Sequence, residues 1–186
     1  MRPIVICCTQ RFKQELEEFI QLLRSKGVLV FGPDFKNHKS EFCKKDEGKR
    51  LESDTYRNKV PGLVWAHFNN LDLVHSMGGI CLIFNPLSKG RKRHDFGYIG
   101  SNTQGEIGHA NGLKMPLLLI RPHREKWIMT VAHERDRNRI FTNAVSGGDP
   151  LKYDEVYERW LRHWLGMPPT VTSPAPIVPA APQSQK

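Results

Sequence analysis

The chain has 186 residues, 39% of them apolar, and a formal net charge of +9. A domain of about 165 residues buries roughly 70% of its unfolded surface, so this length suits one domain plus a tail with no need of disulfide or metal staples. No apolar run approaches the ~20 residues of a membrane-spanning helix, and the positive charge favours anionic partners without bearing on the fold.

Residues 3–8 are short, apolar and β-branched, which predicts a buried first strand and is too short for a secretory leader. Phe12, Leu16, Phe19, Ile20 and Leu23 then recur at helical spacing, predicting a helix over 11–26 that Gly27 ends as a C′ residue. Residues 28–31 form a second apolar strand. Short connections in a strand–helix–strand unit mean parallel pairing and a right-handed crossover. The polar stretch 36–59 is expected to be a mobile charged insertion of the lid or binding-loop kind. Pro61 is expected to open a helix over 61–77 with Leu63, Val64, Ala66, His67, Leu71 and Val74 inward. Gly78-Gly79 breaks it, and Ile80–Phe84 is the third strand, closed by Asn85-Pro86. A basic loop over 88–97 leads to a helix over 103–113 and a fourth strand over 115–120. Residues 121–137 are charged with helical character, 139–144 read as a fifth strand, and 149–166 as an amphipathic helix with Val156, Trp160, Leu161 and Trp164 on one face. From Met167 the chain turns to Pro, Ala, Ser and Thr without periodicity, a disordered or extended tail over 167–186 behind a domain of 1–166.

Cys7, Cys8, Cys43 and Cys81 have none of the spacings of a zinc finger. Cys7 and Cys8 point to opposite faces of a strand and do not pair with each other, and Cys81 reads as a small buried hydrophobe. A reducing cytoplasm fits, with no metal or cofactor expected. His67 and His109 read as structural, and Trp127, Trp160 and Trp164 as helix-packing aromatics.

Alternating strands and helices predict a doubly wound α/β fold, a Rossmann-like parallel sheet of four to five strands with helices on both faces. Ligands of such sheets sit beyond the carboxyl ends of the strands, where strand order reverses. Three polar or glycine-rich stretches meet that description: 8–12, 32–35 and 85–106. The last holds Gly-Tyr-Ile-Gly-Ser-Asn-Thr-Gln-Gly-Glu-Ile-Gly-His-Ala over 97–110. Ser101, Asn102 and Thr103 offer short polar groups at a helix N-terminus, which suits anionic or hydroxyl-rich ligands. Two readings of Glu106 stand side by side. Thr103 and Glu106 have the spacing of a capping box, in which Glu106 bonds back to its own helix start. Alternatively, Glu106 is a carboxylate presented to a ligand, kept ionised by the helix N-terminus.

The chain resembles the nucleoside 2-deoxyribosyltransferase-like family over Ile80–Asn85, the 97–110 motif with its Glu-Ile-Gly-His-Ala core, and residues 114–120. The resemblance implies a flavodoxin-like fold and chemistry at a glycosidic bond. It makes Glu106 the nucleophile that attacks C1′ of a deoxynucleoside. Tyr98 either hydrogen-bonds Glu106 and tunes it or simply packs. Cys8, Thr9, Gln10 and Phe12 fall where the family contacts base and sugar, although Phe12 also belongs to the apolar face of its helix. Gly100 stands where the family carries an acidic residue, leaving Asn85, Ser101, Asn102 or Thr103 to hold the sugar. Asp72 is the counterpart of a second family acid, or an exposed helix aspartate. Lys89, Arg91, Lys92 and Arg93 are suited to a 5′-phosphate. The expected partners are a nucleoside or nucleotide and further copies of the chain, with no membrane. The alternatives are a non-catalytic nucleotide-sensing module and, less favoured, a nucleic-acid-binding protein, for which no reader motif is present.

Overall fold

The computed structural model describes residues 1–35, 54–86, 97–121, 123, 125–132, 154 and 157–167, with the backbone alone at 54–60, 159 and 160. Four strands, β1 (Ile4–Cys8), β2 (Val30–Phe31), β3 (Ile80–Phe84) and β4 (Leu117–Leu119), form one parallel sheet in the order β2-β1-β3-β4. Around it lie α1 (Lys13–Ser25), α2 (Asp54–Ser76), α3 (Ser101–Gly112), α4 (Lys126–Val131) and a closing helical segment, π-wound over Tyr157–Leu161 and continued as α5 (Arg162–Trp164). This is a doubly wound, flavodoxin/Rossmann-like α/β fold. The fifth strand expected over 139–144, the basic loop with Lys89, Arg91, Lys92 and Arg93, and the tail over 168–186 lie outside the described residues.

β1 and β3 are buried along their whole length, as strands covered on both faces must be. Residues paired in register share a face, so Cys8 and Phe84 look one way, and Phe84 stacks on Phe19 of α1 with centroids 5.3 Å apart. Cys7 and Ile83 look the other way, toward α2 and α3. The chain therefore winds outward from β1 in both directions, and strand order reverses between β1 and β3. Among the described residues no helix is long and apolar enough to cross a membrane.

Three helix starts differ from expectation. The first helix begins as a 3-10 turn over Gln10–Phe12 before α1. α2 begins at Asp54, inside the expected insertion, and Pro61 lies within it rather than at its start. A proline removes one backbone bond and crowds one carbonyl, which a helix of 23 residues survives. Ala66 is exposed, while His67, Leu71 and Val74 are buried as expected. α3 starts at Ser101 with Gly100 as its N-cap, extended at φ −75° and ψ 163°, and the Gln104 N–H donates to the Gly100 carbonyl at 3.0 Å. Thr103, Glu106, Ile107 and Ala110, at helical spacing, form its buried face.

Candidate functional site

Thr103 is the third residue of α3 and Glu106 the sixth, so the capping box does not form: Glu106 is one turn too far along to reach the helix start. Its side chain turns in against the sheet. Glu106 is 7% exposed, and around it stand Cys7 of β1, His67 of α2 and Thr103 of its own helix. Burial pushes its carboxyl from an ordinary 4.5 up to about 8, and hydrogen bonds from the Cys7 and Thr103 side chains offset only part of that. The expectation that the helix N-terminus keeps Glu106 ionised is not met: as the sixth residue of α3 it lies beyond the first turn, where the helix dipole fades, and desolvation favours the protonated form. His67, 5% exposed, is pushed by burial from 6.5 down to about 4. His67 Nε2 stands 3.8 Å from Glu106 Oε1, beyond hydrogen-bond range, and both groups are neutral at pH 7. Among the described residues, neither ring nitrogen of His67 nor Glu106 Oε2 has a hydrogen-bond partner.

Above this cluster, the carboxyl edge of β1 and β3 gathers several predicted residues. Thr9 Oγ1 and Tyr98 Cε1 each lie 3.7 Å from where a Cβ on Gly100 would stand. The Arg11 guanidinium lies 4.1 Å from the Tyr98 ring centroid, a cation–π contact. Asn102 is four residues before Glu106, so it shares that face of α3 at the helix's exposed end. Ser101 is also exposed, and Gln10 is half-buried in the 3-10 turn.

The other predicted site residues do different work. Phe12 is fully buried in the core and offers no face to a base. Cys8 is nearly buried, its thiol donates to the Thr9 carbonyl at 3.1 Å, and burial holds that thiol well above the usual range. Tyr98 supports Arg11 rather than bonding the Glu106 carboxyl. Asp72 has a half-exposed carboxylate bonded to His109 Nε2 at 2.8 Å, across the seam between α2 and α3. His109 also stacks on Phe68 at 4.7 Å, a structural role as expected. Trp127 is exposed rather than packed.

Asn85 is fully buried and spends its amide on the backbone. Its Nδ2 donates to the Gly97 carbonyl at 3.3 Å and the Arg121 carbonyl at 3.0 Å, and its Oδ1 accepts from the Arg121 N–H at 3.0 Å. It ties Gly97, at the start of the motif, to the chain just after β4, and with both amide protons spent and the side chain fully buried it is not presented to a sugar. Asn85→Ala strands these backbone groups. The expected loss is roughly 3 kcal/mol, read by urea unfolding, because each buried group left unpaired costs about 1–3 kcal/mol.

Gly100 is not forced by lack of space, since its nearest neighbours lie at ordinary contact distance. Gly100→Asp is expected to fold normally and to raise stability by a few tenths of a kcal/mol, because aspartate is the better N-cap. Thermal unfolding measures this.

Cys7, His67 and Arg121 were not evident as site residues in the sequence. His67 had a signal: it is the one histidine in the inward stripe of α2. Arg121 follows β4, its Nη1 buried without a hydrogen bond, and burial lowers its pKa. Cys7 had no signal beyond facing away from Cys8.

Comparison with protein-family models, with curated proteins and with solved structures finds no match.

Proposed function

We propose that the chain cleaves or transfers the N-glycosidic bond of a (deoxy)nucleoside or nucleotide, with Glu106 as the nucleophile. The supporting observation is the placement of one carboxyl: among the described residues, Glu106 lies on the first helix after β3, where the strand order reverses, with Oε2 unbonded. In this reading Glu106 gives up the proton it holds at rest, its carboxylate attacks C1′, the C1′–N bond breaks, and the base leaves carrying the proton that Glu106 released. The resulting sugar–Glu106 ester is opened at C1′ by a second base or by water, which frees the carboxylate again. At rest Glu106 holds its proton, with about one molecule in ten ionised at pH 7 for a pKa of about 8. Positive charge developing at C1′ favours the ionised form, so the buried site matches the transition state better than the empty state. Thr9 beside Gly100, the exposed Asn102 at the start of α3, and Thr103, which bonds Glu106, are the polar groups this reading offers to the sugar. A homo-oligomer belongs to the same reading and is checked by light scattering.

The test is base release from a panel of deoxynucleosides and deoxynucleotides, with and without an acceptor base and with EDTA present. Release that persists in Glu106→Gln would remove the proposed role. One observation favours a second reading, a non-catalytic nucleotide-binding module: Gly100 stands where the family's sugar-holding acid would be. Tight nucleotide binding with no turnover across the panel would establish that alternative. Binding to nucleic acid that falls steeply with salt would instead point to the basic loops.

A further inference from the structure

We propose that Cys7, His67 and Glu106 form a binding site for a single zinc-class divalent cation. The three residues come from β1, α2 and α3, and one ligand atom from each lies within 4.8 Å of the others. Around a tetrahedral zinc ion, bonds of about 2.0–2.3 Å place donor atoms roughly 3.3–3.8 Å apart. For nitrogen and oxygen donors at about 2.0–2.2 Å the separation is roughly 3.3–3.5 Å, so the His67 Nε2 to Glu106 Oε1 distance of 3.8 Å has a few tenths of an ångström left to close. Closing the remaining pairs onto an ion needs movements of about 1 Å or less.

A second, independent observation points to a ligand. Both nitrogens of His67 and Oε2 of Glu106 are buried with no hydrogen-bond partner among the described residues. Buried polar groups are ordinarily paired, and an unpaired one calls for an explanation. A cation bound through His67 Nε2 and Glu106 pairs that nitrogen, and pairs Oε2 as well where the carboxylate binds through both oxygens.

The donor set selects the ion. Thiolate, imidazole and carboxylate together suit zinc and its neighbours, whereas magnesium and calcium take all-oxygen sites. On binding, Cys7 gives its thiol proton and Glu106 its carboxyl proton to solvent, while neutral His67 loses none. A divalent ion with one thiolate and one carboxylate is neutral overall, which is what a buried site tolerates best. Three protein ligands leave the fourth position open, as in catalytic rather than structural zinc sites. Cys81 stands behind the group, its Sγ 3.7 Å from that of Cys7.

This inference does not rest on the glycosidic reading and constrains it. A Glu106 carboxylate bound to metal cannot attack C1′, so cation and sugar substrate exclude one another at this position.

The experiment is a titration of the full chain with Co2+ and then Zn2+, with no nucleoside present, after equilibration long enough for ions to reach a buried site. The expected result is one ion per chain, a thiolate-to-cobalt charge-transfer band, and a Tm that rises with zinc. Cys7→Ser and Glu106→Gln are near-isosteric. Each is expected to weaken binding by more than the ~10–100-fold that loss of an outer-sphere partner costs, and Cys7→Ser to abolish the charge-transfer band. His75→Gln, at an exposed histidine on the same helix, is the control and should bind as the native chain does. Circular dichroism of the variants separates lost binding from lost fold. No bound ion, or an unchanged band and affinity in Cys7→Ser and Glu106→Gln, would overturn the proposal. Because base release is assayed with EDTA and metal binding without nucleoside, either proposal can fail while the other stands.

Discussion

Glu106→Gln is expected to lower base release by at least ~10³-fold, the scale of losing a covalent nucleophile, and at pH 8 to make the metal-free chain more stable than the native one. The second half follows from linkage. The folded state holds the Glu106 proton up to about 8, whereas the unfolded chain releases it near 4.5. Between those values the folded state binds more protons, so stability falls as pH rises. The full gap is worth at most about 5 kcal/mol. His67 acts oppositely. Its folded pKa is about 4 against 6.5 unfolded, so the unfolded state binds more protons between them and stability rises with pH, by roughly 3 kcal/mol.

From pH 4.5 to 6.5 the two slopes nearly cancel. From pH 6.5 to 8 only Glu106 is titrating, and the metal-free chain should lose about 2 kcal/mol. The Cys7 thiol in the cluster and the Cys8 thiol on the opposite face of β1 are both held well above their ordinary 9.0, so their effect enters only at higher pH. Glu106→Gln removes the falling limb and keeps the rising one. Urea unfolding of both chains from pH 5 to 8.5 measures this, and parallel curves would show that Glu106 is not buried in its protonated form. The same ionisation that weakens the fold arms the nucleophile, so base release by the native chain should climb toward pH 8 as stability declines. This is the usual opposition between activity and stability at a strained site.

Gly79→Ala is expected to be among the most damaging single-methyl additions. A Cβ there would stand 2.4 Å from Val74 Cγ1, 2.6 Å from the Pro3 carbonyl oxygen and 2.9 Å from Pro3 Cγ. The Pro3 oxygen cannot yield cheaply, because it accepts the Ile80 N–H at 3.1 Å and so starts the pairing of β1 with β3. The Gly79 N–H is also committed, to the Val74 carbonyl at 2.8 Å at the end of α2. Relief requires moving α2 or parting the two central strands. The expected cost is about 3 kcal/mol, or roughly 6–12 °C in Tm for a chain of this size. Gly108→Ala is the matched control. It lies in the interior of α3, exposed, with nothing within 4 Å of the added methyl. It should gain up to about 1 kcal/mol from helix propensity. A Gly79→Ala chain as stable as its parent would mean that the approach of the α2–β3 turn to Pro3 is looser than described.

Much of the fold was legible because its signals are local. β3 falls on the predicted residues, and β1 differs by one residue at its start. Gly27 ends α1 with φ +78°, the left-handed conformation expected of a C′ glycine. The errors lie at helix starts, where local chemistry misled. Thr103 and Glu106 have capping-box spacing, and Pro61 has the look of a first helical residue. Packing overrode both. The inward face of α3 runs through Thr103 and Glu106, so neither is available to cap, and α2 extends past its proline toward Asp54. Asn85 was read as a sugar-holding residue, because nothing in Asn85-Pro86 reveals that its amide bonds the backbone of Gly97 and Arg121.

Taken alone, the sequence determined the alternation of strands and helices, the parallel sheet that follows from it, and the glutamate near the end of a central strand. Those features depend on periodicity, turn residues and crossover handedness, all carried within short stretches of chain. Only the tertiary structure decided what Glu106 faces and what state it is in. Cys7 and His67 reach it because the sheet sets β1 beside β3 and both later crossover helices cover one face, bringing together residues separated by 60 and 39 positions, 67 − 7 and 106 − 67. The protonation of that carboxyl depends on how completely water is excluded from it, and exclusion of water is a property of the assembled walls.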